Sequence, residues 1–216
     1  MLIKVLPWFV LAALCLMTTM VQAQCNAENY QFADYDSVLS KDKYGRNDVE
    51  TDYYRLALSW SPGFCRARAD KNGEVSKRLK FQCKENQFAW VVHGLWGQVE
   101  GARRIKDHPR YCEGDLPKVN REVLRDYLCL SPSASLLQGE WEKHGACDFE
   151  TFRDYYEKTQ ALFVSLKLPT VKQRKRQLIN WLKSHNPQLK NIWIGVVGNE
   201  IHICYDKLWN LISCPR

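Results

Sequence analysis

The sequence lacks the marks of several protein classes. It contains no C-x-x-C pair, no Asn-x-Ser/Thr sequon, no internal repeat and no linker-like tract after its N-terminus. Long, irregular cysteine spacings argue against a structural zinc site, and the missing repeats and linkers indicate one domain. The absence of sequons fits a bacterial exported protein. Because 45% of the 216 residues are hydrophobic and 12% are aromatic, extended disorder, collagen-like sequence and low-complexity sequence are excluded.

Charge of either sign is not extreme. The chain carries 31 Lys and Arg residues against 24 Asp and Glu residues, which gives a formal net charge of +7. This excess favours polyanionic partners, but it does not identify one by itself.

The most apolar run of the chain lies at the N-terminus. Lys4 precedes a nearly uninterrupted apolar stretch over 5–17, and small or polar residues lead to a cleavage point after Ala23. This arrangement predicts a signal peptide over 1–23 that is removed, leaving one domain over 24–216. The run is shorter than the roughly 20 residues of a membrane-spanning helix, although an uncleaved anchor is the alternative. The expected destination is the periplasm or the extracellular space.

The cysteine count agrees with export. Of nine cysteines, only Cys15 falls in the predicted signal peptide, which leaves an even set of eight. An even set behind a signal peptide predicts four disulfides formed in an oxidising compartment. Spacing alone leaves about 105 possible pairings.

The apolar patterns predict an α+β fold. Strands are expected at 53–60, at 88–93, where Gly94 stops the run, and in a C-terminal hairpin formed by 192–197 and 200–205. Helices are expected at 121–129, at 149–166 with Asp148 as N-cap, and at 171–184. Residues 100–118 are expected to form a long surface loop. Strands at both ends with helices between them indicate a single, disulfide-stapled domain in which several helices flank a central, mainly antiparallel sheet.

The helix predicted over 171–184 has two different faces. Its core face would carry Val171, Leu178, Ile179 and Leu182, and its other face would carry the basic residues Lys172, Arg174, Lys175 and Arg176. A solvated helix surface accounts for this basic cluster, and an RNA-facing patch is the alternative.

Two of the five histidines have unusual surroundings. His93 ends an apolar strand within the segment WVVHGLW at 90–96, and His144 lies in EWEKHGAC at 140–147. If 139–144 is helical, Glu140, Lys143 and His144 project from one arc of about 100°, and Trp141 faces the core. Gly145 can end such a helix, and Cys147 can staple it. An acid, a cation and an imidazole on one rigid face suit phosphate chemistry.

Each motif also has an ordinary structural explanation. Glu–Lys and Glu–His pairs at helical spacing commonly decorate solvated surfaces, and a histidine beside an apolar run is commonly a hydrogen-bonded core residue. Metal binding by Glu140 and His144 is disfavoured because Lys143 would repel a cation and no second ligand pair has metal-site spacing.

The two segments VHGLW at 92–96 and EWEKHGAC at 140–147 resemble the signature motifs of the ribonuclease T2 family, in the same order and at a similar separation. The resemblance extends to LALSWSPGFC at 56–65 and to ICYD at 203–206 through Cys214 and Pro215, so it covers most of the mature chain. The early segment and Ala146 are most similar to the bacterial periplasmic ribonuclease I branch.

The resemblance implies a metal-independent endoribonuclease that needs no cofactor and acts on single-stranded RNA. The 2′-hydroxyl beside the scissile phosphate is the nucleophile, the product is a 2′,3′-cyclic phosphate, and slower hydrolysis leaves a 3′-phosphate. It assigns His144 as general base and His93 as general acid, with Lys143 and Glu140 at the phosphoryl group and Trp96 at the site edge. Glu140 must be either protonated or bridged by Lys143, since a bare carboxylate repels phosphate. No stable protein partner is implied, and a monomer is expected.

The resemblance also implies four disulfide pairs: Cys65–Cys83, Cys112–Cys147, Cys204–Cys214 and, from the two cysteines that remain, Cys25–Cys129. The second pair would tie the loop after the strand of His93 to the segment that bears His144.

Two positions depart from the family pattern. Gly97 replaces the proline that usually follows Trp96, which is expected to loosen the next loop. Gly139 stands where many relatives have a phosphate-binding histidine. The alternative function is therefore a catalytically weakened, secreted RNA-binding or toxin-like member of the same fold, and a metal-dependent nuclease or hydrolase that uses Glu140 and His144 is a third possibility.

Overall fold

The computed structural model describes residues 25–215, so the predicted signal peptide over 1–23 lies outside the described residues. The strands are β1 (Tyr53–Trp60), β2 (Trp90–Gln98), β3 (Gly195–Val197), β4 (Glu200–Tyr205) and β5 (Leu211–Ile212). The helices are α1 (Ser61–Arg68), α2 (Arg121–Arg125), α3 (Ala134–Lys143), α4 (Phe152–Val164) and α5 (Lys175–His185). Within 25–215, none of the helices is long and apolar enough to cross a bilayer.

The five strands form one antiparallel sheet in the order β2-β1-β4-β3, and β5 pairs with the far part of β4. The first strand, β1, therefore pairs at the centre of the sheet with β4, which comes from the C-terminal part of the chain. The predicted C-terminal hairpin forms through β3 and β4, and Gly198 makes its turn with a φ of +59°. The α+β fold with a mainly antiparallel sheet is confirmed.

A β-bulge interrupts the pairing of β1 with β2 at His93. Ala57 pairs with Gly94 and Leu58 pairs with Val92, so His93 is the extra residue without a partner in β1. A bulge bends its strand locally and redirects the side chain of the extra residue. This irregularity lies next to Gly94, which does not end the strand as predicted. Pairing continues through Leu95 and Gly97 to Gln98.

The helices cover the sheet through an aromatic core. Tyr155 of α4 is fully buried; its hydroxyl accepts a hydrogen bond from the Leu95 amide at 2.9 Å and donates to the Leu95 carbonyl at 3.1 Å. Trp141 of α3 is also buried and packs against Phe152 and Tyr155. Leu95 lies between His93 and Trp96, so these contacts fix the strand segment that carries both side chains against α3 and α4.

Four disulfides cross-link the domain: Cys25–Cys129, Cys65–Cys83, Cys112–Cys147 and Cys204–Cys214. They join the same cysteines as the pairings that the resemblance implies. Cys112–Cys147 joins the middle of the long connection between β2 and α2 to the turn that follows α3. Disulfides of this number belong to a protein of an oxidising compartment.

Several predicted boundaries are wrong. The Ser-Pro-Gly segment that ends β1 also begins α1, because Pro62 fits the first turn of a helix. The helix expected over 121–129 ends at Arg125, and tight turns follow it. The loop over 100–118 is not all at the surface, since Arg110, Tyr111 and Cys112 are buried.

The two later helices are shorter than predicted. The N-cap of α4 is Thr151, whose hydroxyl accepts a hydrogen bond from the Asp154 amide, whereas Asp148 accepts one from Thr51. The helix expected over 171–184 begins only at Lys175. Leu178 and Leu182 are buried as predicted, but Val171 is 64% exposed and has no place on the core face.

Candidate active site

An open cleft of about 550 Å³ contains every residue that the sequence placed in the site. Strand β2 supplies His93 and Trp96, and the C-terminal end of α3 supplies Glu140, Lys143 and His144. The two histidines pack against the same indole, since the rings of His93 and His144 lie 5.1 and 5.8 Å from that of Trp96. Two imidazoles that are 51 residues apart in sequence therefore share one cleft.

His93 is held by carboxylates on both ring nitrogens. Its Nδ1 lies 2.7 Å from Oε1 of Glu200, and its Nε2 lies 3.7 Å from Oε1 of Glu140. Burial disfavours the charged ring, but the hydrogen bond to Glu200 and the charge of Glu140 outweigh it and raise the pKa of His93 above 6.5. This shift favours the protonated form of the His93 ring.

Glu140 is buried between the strand and α3. The indole Nε1 of Trp96 donates a hydrogen bond of 2.6 Å to its Oε2. Burial raises the pKa of Glu140, although the charge of His93 and this hydrogen bond act in the opposite direction. A Cβ at position 94 would overlap Glu140 and Trp96, so Gly94 permits their close approach.

Lys143 does not bridge Glu140; its Nζ lies 3.2 Å from Oδ2 of Asp42. Arg110 donates from one guanidinium nitrogen to both Asp42 oxygens at 2.9 Å. One carboxylate therefore holds two cations at the cleft. Burial raises the pKa of Asp42, but the hydrogen bond from the Tyr44 amide and the charges of Arg110 and Lys143 outweigh burial and lower it. Of the two alternatives stated for Glu140, the bridge by Lys143 does not form.

His144 is the C-cap of α3, with φ −128° and ψ −45°, so its ring leaves the helix direction. Its Nδ1 is buried without a hydrogen-bond partner among residues 25–215, which leaves Nε2 for proton transfer. Burial, followed by the positive charges of Arg110 and Lys143, lowers the pKa of His144 well below 6.5. The neutral form of His144 is favoured near neutral pH.

The backbone beside this cap is strained. Tyr111 has a positive φ of 48°, which is uncommon for a residue with a side chain. Its amide donates to the Lys143 carbonyl at 3.0 Å, and the neighbouring Cys112 is bonded to Cys147. The hydrogen bond and the disulfide together hold the 110–112 segment against the end of α3.

The walls of the cleft are mainly basic. The cationic side chains are Lys41, Lys43, Arg55, Arg110 and Lys143, against the two carboxylates of Asp42 and Glu140. Such a surface attracts a polyanion and can stabilise negative charge that develops on phosphoryl oxygens. Within 25–215, no group of three or more His, Cys, Asp or Glu side chains is arranged to hold a metal ion.

The sequence reasoning missed Glu200, Asp42 and Arg110. The alternation of a strand places Glu200 and His202 on one face of β4, and Oε2 of Glu200 lies 3.3 Å from Nε2 of His202. The hydrogen bonds from both histidines lower the pKa of Glu200 to about 2, although its burial opposes this shift. No sequence signal connected Glu200 to a histidine 107 residues earlier.

The two departures from the family pattern have separate surroundings. Gly97 pairs with Tyr54 inside β2, so the expected loosening after Trp96 is wrong. A Cβ at position 97 would meet the side chains of Thr51 and Asp148, which are hydrogen-bonded to each other at 2.8 Å. Gly139 has more room, since a Cβ there would lie 3.6 Å from Oγ of Ser37.

Comparison with known proteins gives one consistent result. The model of the Ribonuclease T2 family matches residues 51–193. A "Probable ribonuclease" of Haemophilus influenzae is 49% identical over 186 residues, which cover 85% of this chain and 68% of that protein.

Solved structures show the same fold. An RNase-related protein from Calystegia sepium superposes with a TM-score of 0.57 at 21% identity and covers 78% of this chain and 92% of its own. Trichomaglin, described as an S-like ribonuclease, gives a TM-score of 0.57 at 19% identity and covers 76% of this chain and 92% of its own.

Proposed function

The chain belongs to the Ribonuclease T2 family of endoribonucleases, and from this premise we propose that it cleaves single-stranded RNA by 2′-hydroxyl attack, without a metal or another cofactor. Attack on the neighbouring phosphorus breaks the bond to the 5′-oxygen and leaves a 2′,3′-cyclic phosphate. Slower hydrolysis of this product gives a 3′-phosphate. The observation that carries the proposal is the pair of histidines with opposite pKa shifts in one cleft.

The two proton transfers divide between these histidines. The reaction needs a neutral base for the 2′-hydroxyl proton and a protonated acid for the departing 5′-oxygen. His144 has the lowered pKa and suits the base, and His93 has the raised pKa and suits the acid. Between the two pKa values, a neutral His144 and a protonated His93 are present in the same molecule, so the enzyme is ready for both proton transfers before the substrate binds.

The charges around the cleft serve the phosphoryl group. Lys143 reaches the cleft from α3, and Arg110 lies beside it on the shared carboxylate of Asp42. Preorganised cations stabilise the charge of a pentacoordinate phosphoryl group. Arg110 would supply part of the positive charge that relatives obtain from the histidine at position 139.

Glu140 and Trp96 complete the proposed site. A protonated Glu140 can donate a hydrogen bond to a phosphoryl oxygen, and burial raises its pKa in that direction. Trp96 orients this carboxyl group through its indole N–H and packs between the two histidines. Glu200 is proposed as a positioning residue, because it contacts Nδ1 of His93, whereas Nε2 faces the cleft beside Glu140.

The four disulfides and the family indicate an exported protein. Its place is proposed to be the periplasm or the extracellular space, reached through a signal peptide over 1–23. There it acts as a monomer on RNA, without a stable protein partner.

The second candidate is a secreted RNA-binding protein of this fold with weakened turnover. It is favoured by Gly139, because the histidine of many relatives is missing from the face of α3. The full set of His93, Glu140, Lys143 and His144 in the cleft favours the active enzyme.

One assay separates these possibilities. Purified protein is mixed with single-stranded RNA, DNA and 2′-O-methyl RNA, with and without a chelator, and the ends of the products are identified by mass spectrometry. Cleavage of RNA alone with cyclic-phosphate ends is expected, since only RNA carries the free 2′-hydroxyl. Binding without cleavage would support the weakened protein. Cleavage that stops with chelator would support a metal-dependent hydrolase and contradict the proposal.

A further inference from the structure

A second, smaller cleft adjoins the proposed active site through Glu200. Its volume is about 60 Å³, enough for a group of a few heavy atoms but not for a nucleobase. Its lining includes Lys172 and Lys175, the β3–β4 turn with Glu200, and the two tryptophans Trp60 and Trp90. Glu200 thus lines this cleft and also bonds the ring of His93 in the first one.

The positive charge of this cleft is unpaired. Neither Lys172 nor Lys175 forms an ion pair within the part of the chain that the structure describes. Its carboxylate, Glu200, is shared between His93 and His202, so part of its negative charge is offset. The segment before α5 is held near the sheet because Trp90 Nε1 donates to the Pro169 carbonyl at 3.0 Å.

Trp60, which lines this cleft, carries a buried donor that lacks an acceptor. Trp60 is 6% exposed, and its indole Nε1 is buried without a hydrogen-bond partner among residues 25–215. An unpaired buried donor is uncommon in proteins and calls for an explanation. A phosphate oxygen in this cleft is an acceptor of the size that the cleft admits, and two lysines would neutralise its charge.

We propose that this cleft, built by Trp60, Lys172 and Lys175, binds the RNA phosphate that follows the nucleotide released at the scissile bond. The direction rests on the proposed function: His93 protonates the 5′-oxygen of the leaving nucleotide, and Glu200, which bonds Nδ1 of that ring, also lines the cleft. Of the two interpretations of the basic cluster, a solvated face or an RNA-facing patch, this proposal supports the second for Lys172 and Lys175. A phosphate site at this position would let the protein contact an RNA longer than the two nucleotides that flank the scissile bond.

The test compares three substrates: ApA, ApAp with a terminal 3′-phosphate, and pApA with a 5′-phosphate. ApAp and pApA carry the same added group at opposite ends. For the wild-type protein, kcat/KM is expected to be about 3- to 10-fold higher for ApAp than for ApA, and pApA should not gain in the same way. In the double variant K172Q/K175Q the ApAp advantage should fall to about one, with ApA cleavage unchanged within about twofold.

The matched control removes two lysines that line neither cleft, K71Q/K80Q, and should keep the ApAp advantage. The variant W60F should reduce the advantage with both lysines present, and thermal melting checks that its fold is retained. An ApAp advantage that survives in K172Q/K175Q would overturn the proposal, as would an equal advantage for pApA.

Binding without turnover makes the result independent of catalysis. With 2′-O-methyl ApAp, the NMR resonance of the Trp60 indole N–H is expected to shift, whereas 2′-O-methyl ApA should leave it unchanged. Absence of this shift at saturating ApAp analogue also overturns the proposal. If wild-type protein cleaves none of the three substrates, the proposed function fails, and the NMR result still decides whether the phosphate binds here.

Discussion

Oε1 of Glu200 lies 2.7 Å from Nδ1 of His93, although 107 residues separate them along the chain. The contact joins the bulge of β2 to the first residue of β4 across the intervening strand β1. It fixes the tautomer and the tilt of the ring and favours its protonated form, which is what a general acid needs.

Replacing the carboxylate of Glu200 should change the pH dependence of kcat/KM without disrupting the fold. In E200Q, the loss of a negative charge lowers the pKa of His93, so the alkaline limb of the kcat/KM profile should move to lower pH. Activity near pH 7.5 should fall roughly tenfold, the effect of about one pKa unit. The measurement is a pH–rate profile together with an NMR titration of the His93 ring. E150Q, at an exposed position, is the control; a profile for E200Q that superposes on the wild-type profile would refute this role.

Each of the two cleft histidines should be needed for turnover. H93A and H144A are expected to lose about 10²- to 10⁴-fold in kcat, the usual contribution of one acid–base group. Binding of 2′-O-methyl RNA should stay within a few fold, because neither ring is the main source of positive charge. H185A, at the exposed end of α5, serves as the control and should keep full activity. A tenfold or smaller loss in both variants would contradict the assigned roles.

The pH–rate profile itself should be bell-shaped. His144, the proposed base, must be neutral, so activity should rise with pH through its lowered pKa, which places the acid limb below 6.5. His93, the proposed acid, must be protonated, so activity should fall through its raised pKa, which places the alkaline limb above 6.5. K143Q removes a positive charge that lowers the pKa of both histidines, so both limbs should move to higher pH. Limbs that stay in place would contradict this effect of Lys143.

Gly94 should not tolerate a methyl group. In G94A the new Cβ overlaps the carboxyl group of Glu140 and the indole of Trp96, so at least one of them must shift. We expect a loss of about 1–3 kcal/mol in unfolding free energy, typical of overpacking, and a fall in kcat that exceeds the rise in KM. The control G139A adds the same group where the nearest side-chain atom is 3.6 Å away. It should be neutral or stabilising by about 0.4–1 kcal/mol, and equal kcat values for the two variants would contradict the prediction.

The disulfide beside His144 should couple stability to catalysis. C112S/C147S opens a loop of 35 residues, which costs about 3–4 kcal/mol by loop entropy. It should also lower kcat, because the bond holds the 110–112 segment against the cap of α3. The control C65S/C83S opens an 18-residue loop at α1 and should cost about 3 kcal/mol without the same loss of kcat. Full activity of C112S/C147S at equal fold content, measured by circular dichroism, would disprove the coupling.

The features that depend on neighbouring residues could be predicted from the sequence. The spacing of Glu140, Lys143 and His144 on one helical arc, the alternating strand 53–60 and the C-terminal hairpin all depend on neighbours a few residues away. Short stretches of sequence therefore suffice to predict them. The start of α4 could not be predicted in this way, because Asp148 accepts a hydrogen bond from the distant Thr51, and Thr151 caps the helix instead.

What the sequence alone determined is the kind of chemistry: two histidines, an acid and a lysine in segments that could be recognised, on a domain rich in cysteines. Only the tertiary structure determined the contacts of these groups and the directions of their pKa shifts. The contacts of Glu200 with His93 and of Asp42 with Arg110 and Lys143 join distant parts of the chain, and they form only when strand pairing and loop closure bring those parts together. The opposite pKa shifts of His93 and His144 follow from burial and from charges at such long-range contacts, and burial is a property of the folded chain and not of its local sequence.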